Sequence, residues 1–203
     1  MTSVITYHDD RHMEATPRTD ARQRMIESAA LLFRERGVEG TSFSDVLTRS
    51  GAPRGSIYHH FPGGKAQLVE ETTRYAGDFI AAGLAAALEQ KDPATALRRF
   101  AEVWRAGLSD SDFEAGCPIV AATLEGEQWP AARKAAGAVF EHWEDLLANA
   151  FKRHGASPER ARSLGTLAIA SIEGAVVLAR AQRSAAPLER VAGELERLAS
   201  AAV

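Results

Sequence analysis

One cysteine, Cys117, leaves this 203-residue chain no internal disulfide to close, and an unpaired thiol fits a reducing cytoplasm. Aromatic residues are scarce at 7% while alanine is abundant, which favours packed helices over sheets. No segment alternates polar and apolar residues over a strand's length, and no two-residue turn separates apolar runs, so hairpins are not expected. No run reaches the ~18 apolar residues of a membrane span, so no membrane association is expected. The N-terminal stretch has no basic segment followed by an apolar one and does not read as a signal peptide. Positive charge is not in excess either: 24 Lys and Arg against 27 Asp and Glu give a net charge of −3.

What is present is a 45% hydrophobic chain, enough to bury a core in one large domain or two small ones. The charge is also unevenly placed. Residues 42–65 carry Arg49, Arg54 and Lys65 against Asp45 alone, a local balance of +2, with His59 and His60 beside them. A locally basic face is what phosphate contact requires, whatever the sign of the whole.

That basic stretch, residues 41–61, reads as helix, tight turn and helix. Ser42 is an N-cap with Asp45 in the acidic first turn, and Val46 and Leu47 give the helix an inward face. Ser50 and Gly51 end it, and Pro53 is expected to start the next helix, where its missing N–H does no harm. Ile57 and Phe61, four apart, share a buried face. Arg54, Ser56, Tyr58, His59 and His60 are left to project elsewhere.

Around this motif the apolar spacing predicts an all-α fold of about nine helices without internal repeat. Residues 20–37 form the first helix and 65–90 a long fourth one, able to link two modules. Pro93, Pro118, Pro130 and Pro158 each follow a residue suited to opening a helix, and a ninth helix covers residues 188–201. Three segments result: a disordered tail over 1–18, a module over 19–79 with its helix-turn-helix at 42–61, and a larger helical segment over 80–203. His8, Asp9, Asp10 and His12 lack a metal-ligand framework, so neither a metal nor a cofactor is expected.

Small residues recur in TLAIASIEGAVVLARA, where Ala168, Ser171, Gly174 and Ala175 would let a partner helix approach, with Leu178 on the same helix. With Val191 and Leu195 of the ninth helix they are read as a dimer face, since two-fold symmetry doubles the contacts of a lone helix-turn-helix. Trp104, Phe140 and Trp143, with Cys117 and Thr123, are the candidate lining of a small-molecule site suited to a flat, largely apolar ligand. Nothing basic lies near Cys117 in sequence to lower its pKa.

The segment from Arg22 to Leu68 resembles the DNA-binding domain of the TetR family of bacterial transcriptional regulators. The matching residues are Ile26, Ala29, Ala30, Phe33, Gly37, Thr41, Ser42, Asp45, Val46, Gly51, Arg54, Gly55, Ser56, Ile57, Tyr58, His59, His60, Phe61 and Lys65. FPGGK at 61–65 is one residue longer than the usual spacing. With GCP at 116–118 and EGAVVLARA at 173–181, it is similar to a sub-branch related to multidrug-responsive repressors, with a C-terminal domain of the LmrA and YxaF type. Pro53 stands where a serine is usual, which removes a side-chain cap from the turn.

The resemblance implies a cytoplasmic homodimeric repressor that binds a palindromic double-stranded DNA operator and is released by a small-molecule inducer. It assigns DNA binding to residues 19–79 and ligand binding with dimerisation to residues 80–203. Arg54 would reach guanine O6 and N7, while Gly55 and Ser56 approach base edges or phosphate. Tyr58 and His59 would position the helix, and Thr41, Ser42 and Lys65 would meet phosphates near helix N-termini. His60 suits packing or DNA contact. Catalysis is not expected, because His59 and His60 point about 100° apart and no second constellation completes a site. Two alternatives remain: a dimeric small-molecule-binding protein without a DNA role, and a regulator gated by oxidation of Cys117.

Overall fold

The structure, a computed structural model, describes residues 19–90 and 92–201; the tail expected over 1–18 lies outside them. Nine helices and no strand occur among the described residues: α1 (Thr19–Arg36), α2 (Phe43–Ser50), α3 (Ser56–His60), α4 (Gly64–Gln90), α5 (Pro93–Asp110), α6 (Pro118–Leu124), α7 (Pro130–Arg153), α8 (Pro158–Gln182) and α9 (Ala186–Ser200). Local chemistry sets most of the ends. Gly37 and Gly51 take the left-handed backbone that closes α1 and α2, with φ of 78° and 65°. Asp92 and Ser157 cap α5 and α8 by accepting the N–H of Thr95 and Arg160.

The expected start of α3 at Pro53 is corrected: the helix begins one turn later. The Ser56 backbone N–H bonds to the Pro53 carbonyl at 2.9 Å and its hydroxyl to the same oxygen at 2.6 Å, so residues 53–56 form a separate tight turn. Gly55 then stands at the N-cap, where a glycine has no side chain to bond the helix end.

Two apolar clusters organise the molecule. The first gathers Met25, Phe33, Val46, Ile57, Phe61 and Leu68 of α1–α4, and it also takes in Ala122 of α6 and Ala132 of α7. The second joins the later part of α4 to α5–α9 around Leu84, Leu97, Trp143 and Ile172. Running unbroken from one cluster to the other, α4 crosses the expected boundary at 79–80 without interruption. It is pinned to α7 by the Trp143 indole N–H, which donates to the Gly77 carbonyl at 3.1 Å. Packing is close there: a Cβ on Gly77 would lie 2.3 Å from a methyl of Val139.

α8 carries an apolar stretch that is interrupted by Glu173 and Arg180. Among the described residues it is the one helix long and apolar enough to cross a membrane by length and composition, and half of that stretch is packed inside the molecule.

Candidate DNA-reading face and ligand chamber

α3 is short because its purpose is display rather than burial. Ile57 is fully buried and anchors it, while Arg54, Gly55, Tyr58 and His59 face outward. Tyr58 is 68% exposed and stands edge-on to Phe43, with ring centroids 5.6 Å apart, so α2 steadies its ring. His60 is half-buried with its ring edge-on to His59 at 5.3 Å.

Cation pairing singles out Arg54. Arg49 is bound by Glu35 at 2.7 Å and Arg36 lies 3.8 Å from Asp45, whereas no hydrogen bond or ion pair engages Arg54 among the described residues. A Cβ on Gly55 would meet nothing within 4 Å. The fold therefore leaves open space directly beside an uncompensated guanidinium.

Three of the expected phosphate contacts are otherwise occupied. Thr41 is buried and its hydroxyl donates to the Gly37 carbonyl at 2.8 Å. Ser42 forms a capping box, its Oγ accepting the Asp45 N–H at 3.1 Å and its own N–H donating to the Asp45 carboxylate at 2.8 Å. The hydroxyl of Ser42, and then its N–H, hold the Asp45 carboxyl below the usual range, so this helix end already carries its anion. Lys65 Nζ sits 5.3 Å over the Trp129 ring and 3.4 Å from the Glu39 carbonyl, drawn toward the α6–α7 connection.

Two cavities adjoin between the clusters. A cavity of about 110 Å³ opens between α4 and α5, lined by Phe79, Ile80, Leu84, Phe100 and Trp104, with Pro118 also at its edge. Trp104 is only 7% exposed, and its indole N–H has no partner. A second cavity, of about 270 Å³, lies among α1, α6 and α8 and is lined by Phe33, Cys117, Val120, Glu173 and Val176. Arg34 and Gly116 border both. Burial, with Glu173 beside it, pushes the Cys117 thiol well above its ordinary value, and burial raises the Glu173 carboxyl to about 7.

The cavities touch the DNA-reading cluster through α6. The Gly116 N–H donates to the Arg34 carbonyl at 2.7 Å. At the C-terminal cap of α6, the Glu125 carboxylate accepts the backbone N–H groups of Val38, at 3.1 Å, and Glu39, in the loop that leads into α2.

Comparison with known proteins fits this arrangement. The family model "Bacterial regulatory proteins, tetR family" matches residues 25–72, and "Transcriptional regulator LmrA/YxaF-like, C-terminal domain" matches residues 93–194. The HTH-type transcriptional regulator Rv0196 of Mycobacterium tuberculosis (strain ATCC 25618 / H37Rv) is 45% identical over 183 residues, covering 87% of this chain and 93% of its own. The chain belongs to the TetR family of transcriptional regulators. LmrA of Bacillus subtilis (strain 168) is 30% identical over 83% of this regulator and 91% of its own length. A TetR transcriptional regulator from Chloroflexus aurantiacus J-10-FL superposes with a TM-score of 0.72 at 31% identity, covering 88% of this chain and 93% of its own. A TetR-family regulator is a DNA-binding protein and not an enzyme, and among the described residues no cluster of three metal-ligating side chains occurs.

Of the expected ligand residues in this TetR-family chain, Trp104 and Cys117 line the cavities. The other three line neither. Trp143 is fully buried and borders instead a cleft between α4 and α7 with Gly77 and Val139, Phe140 packs edge-on against it at 5.4 Å, and Thr123 turns its hydroxyl back to the Ile119 carbonyl at 2.8 Å. The residues expected at a dimer face divide between buried and outward positions. Ala168, Ala175 and Leu195 are buried within the chain, so the small residues at 168 and 175 serve internal packing. Val191 is half-buried against the second cluster. Ser171, Gly174 and Leu178 lie along an outward stripe of α8 together with Leu167 and Val177, which the sequence analysis did not name. Those two could have been found as apolar residues off the inward stripe. Glu173 had a plainer signal, as the one charge within TLAIASIEGAVVLA.

Proposed function

We propose that this regulator is a cytoplasmic homodimer that represses by holding a palindromic operator with the α3 faces of both subunits, and that a small, largely apolar inducer releases it. Arg54 reads guanine, Gly55 lets the backbone approach the duplex, and Tyr58 and His59 set the register. Lys65 adds charge without a phosphate contact of its own, given its place over Trp129.

The observation that carries the reading is the sharing of α6. The same short helix closes the cavities with Cys117 and Val120 and, through the adjoining Glu125, holds the loop before α2. An occupant that displaces α6 or the neighbouring length of α4 therefore changes how the reading helices are presented. The two helices must keep a spacing of ~34–36 Å, or another fixed register, to engage both half-sites. The inducer acts to the extent that it prefers the non-binding arrangement. The outward stripe of α8, with Leu167, Val177 and Leu178 exposed, supports pairing of two copies.

Selection of DNA fragments by the purified protein, followed by gel shifts across a salt series, tests this. A palindromic site with salt-dependent affinity is expected. Failure to retain any duplex at low salt would leave a small-molecule-binding protein without a DNA role. The redox alternative is disfavoured by the site itself, because a thiol pushed upward beside a carboxyl gives little of the thiolate that oxidation needs. Operator binding unchanged by peroxide is the expected result.

A further inference from the structure

Glu173 does not belong where it stands unless something comes to meet it. It lies on α8 in the apolar run between Ile172 and Val176, and its Oε2 is shut off from solvent with no hydrogen-bond partner. The Cys117 thiol lies beside its carboxylate, and a thiol is a weak donor. The nearest cation on its own helix, Arg180, is turned away to the Glu114 carbonyl at 2.8 Å. An isolated buried carboxylate is costly, and it is offset either by taking up a proton or by a positive partner. Burial raises its pKa to about 7, in the direction of the first of these. The walls around it, Phe33, Val120, Leu124 and Val176, suit an apolar body.

We propose that Glu173 is the charge-selecting group of the chamber, and that the ligand it takes is an apolar amine bound as its ammonium ion. This rests on the chamber being the ligand site. The ammonium N–H groups would supply the donor that Oε2 lacks, and the apolar body would lie against Phe33 and Val176. Such a ligand would also sit against Gly37 and Glu125, at the edge of the DNA-reading cluster. Trp104 in the neighbouring cavity offers only a donor, so it does not compete for the same end of the ligand.

Isothermal titration of the full chain with three probes of one ring tests this: naphthylmethylamine, naphthylmethanol and methylnaphthalene. The amine is expected to bind about tenfold or more tighter than the alcohol, as a charge-assisted hydrogen bond exceeds a neutral one. Glu173→Gln keeps the shape and an acceptor for the thiol; it should bring amine and alcohol to similar affinity while methylnaphthalene is unaffected. Equal binding of amine and alcohol to the unchanged protein, or a preference that survives Glu173→Gln, overturns the assignment and leaves the chamber standing. If none of the three binds, the chamber reading and this assignment fall together. Should Glu173→Gln melt early, Glu173→Asp takes its place. It retains the charge but withdraws it by one methylene, and it must weaken the amine more than the alcohol or the assignment fails.

Discussion

Glu125 Oε1 lies 3.1 Å from the backbone nitrogen of Val38, and the same carboxylate takes the N–H of Glu39. A side chain from the end of α6 thereby satisfies two donors in the loop between α1 and α2. Glu125→Ala leaves both donors to water and is expected to cost about 1–3 kcal/mol of stability, read as a lower melting temperature. It should also blunt release: operator affinity with and without a chamber ligand should differ less than in the parent. Full retention of the ligand effect would show that α4 alone carries the signal.

Arg54 stands unpaired beside Gly55, whose missing side chain leaves open space. Arg54→Ala is expected to lower operator affinity by about 1–3 kcal/mol at constant salt, with melting unchanged. Gly55→Leu should be tolerated by the fold and rejected by the duplex. Gel shift and thermal melting on the same samples separate the two effects.

Leu178 is 50% exposed on the outward stripe of α8. Leu178→Glu places a charge where a second copy would bury an apolar surface and should shift sedimentation from dimer toward monomer. Burying one leucine is worth about 1.5–3 kcal/mol, and the symmetry of a dimer counts it twice. An unchanged dimer after this substitution would move the interface off α8.

The Glu173 carboxyl is raised from 4.5 to about 7, so the folded protein holds a proton that the unfolded chain gives up in that interval. Its contribution to stability therefore falls as pH rises from 4.5 to about 7 and is flat above. The groups facing it are Cys117 from α6, Arg34 from α1, Arg180 from its own helix and, at the cavity edge, Glu125. Glu173→Gln should accordingly raise the melting temperature more at about pH 8 than at about pH 5, where the parent carboxyl is largely protonated. A gain independent of pH would assign the effect to packing.

Most of the helices were legible in the sequence because their ends are made by local chemistry. Ser42 with Asp45, Asp92 before Pro93 and Ser157 before Pro158 act within four residues, and no distant partner is needed to read them. α3 was misplaced because Pro53 suits a turn as well as a first helical position, and the Ser56 bonds to its carbonyl decide between the two. The chamber was less legible. An aromatic residue looks the same in a sequence whether it fills the core, as Phe151 does, or borders a space, as Trp104 does. Small residues likewise did not say whether the helix they admit belongs to the same chain. Gly165 shows the first case: a Cβ there would lie 2.7 Å from the Glu144 carbonyl of α7.

Ala122 and Ala132 sit in the same apolar cluster as Met25, Phe33 and Ile57. The reader of DNA thus borrows part of its foundation from helices that lie more than fifty residues further along the chain. Cutting the chain within α4 would strip that foundation away, and a graft onto another sensor would inherit a reader with a missing wall. A working transplant would have to carry α6 and the start of α7 along, so the two ends of this chain are free to diverge only in step with one another.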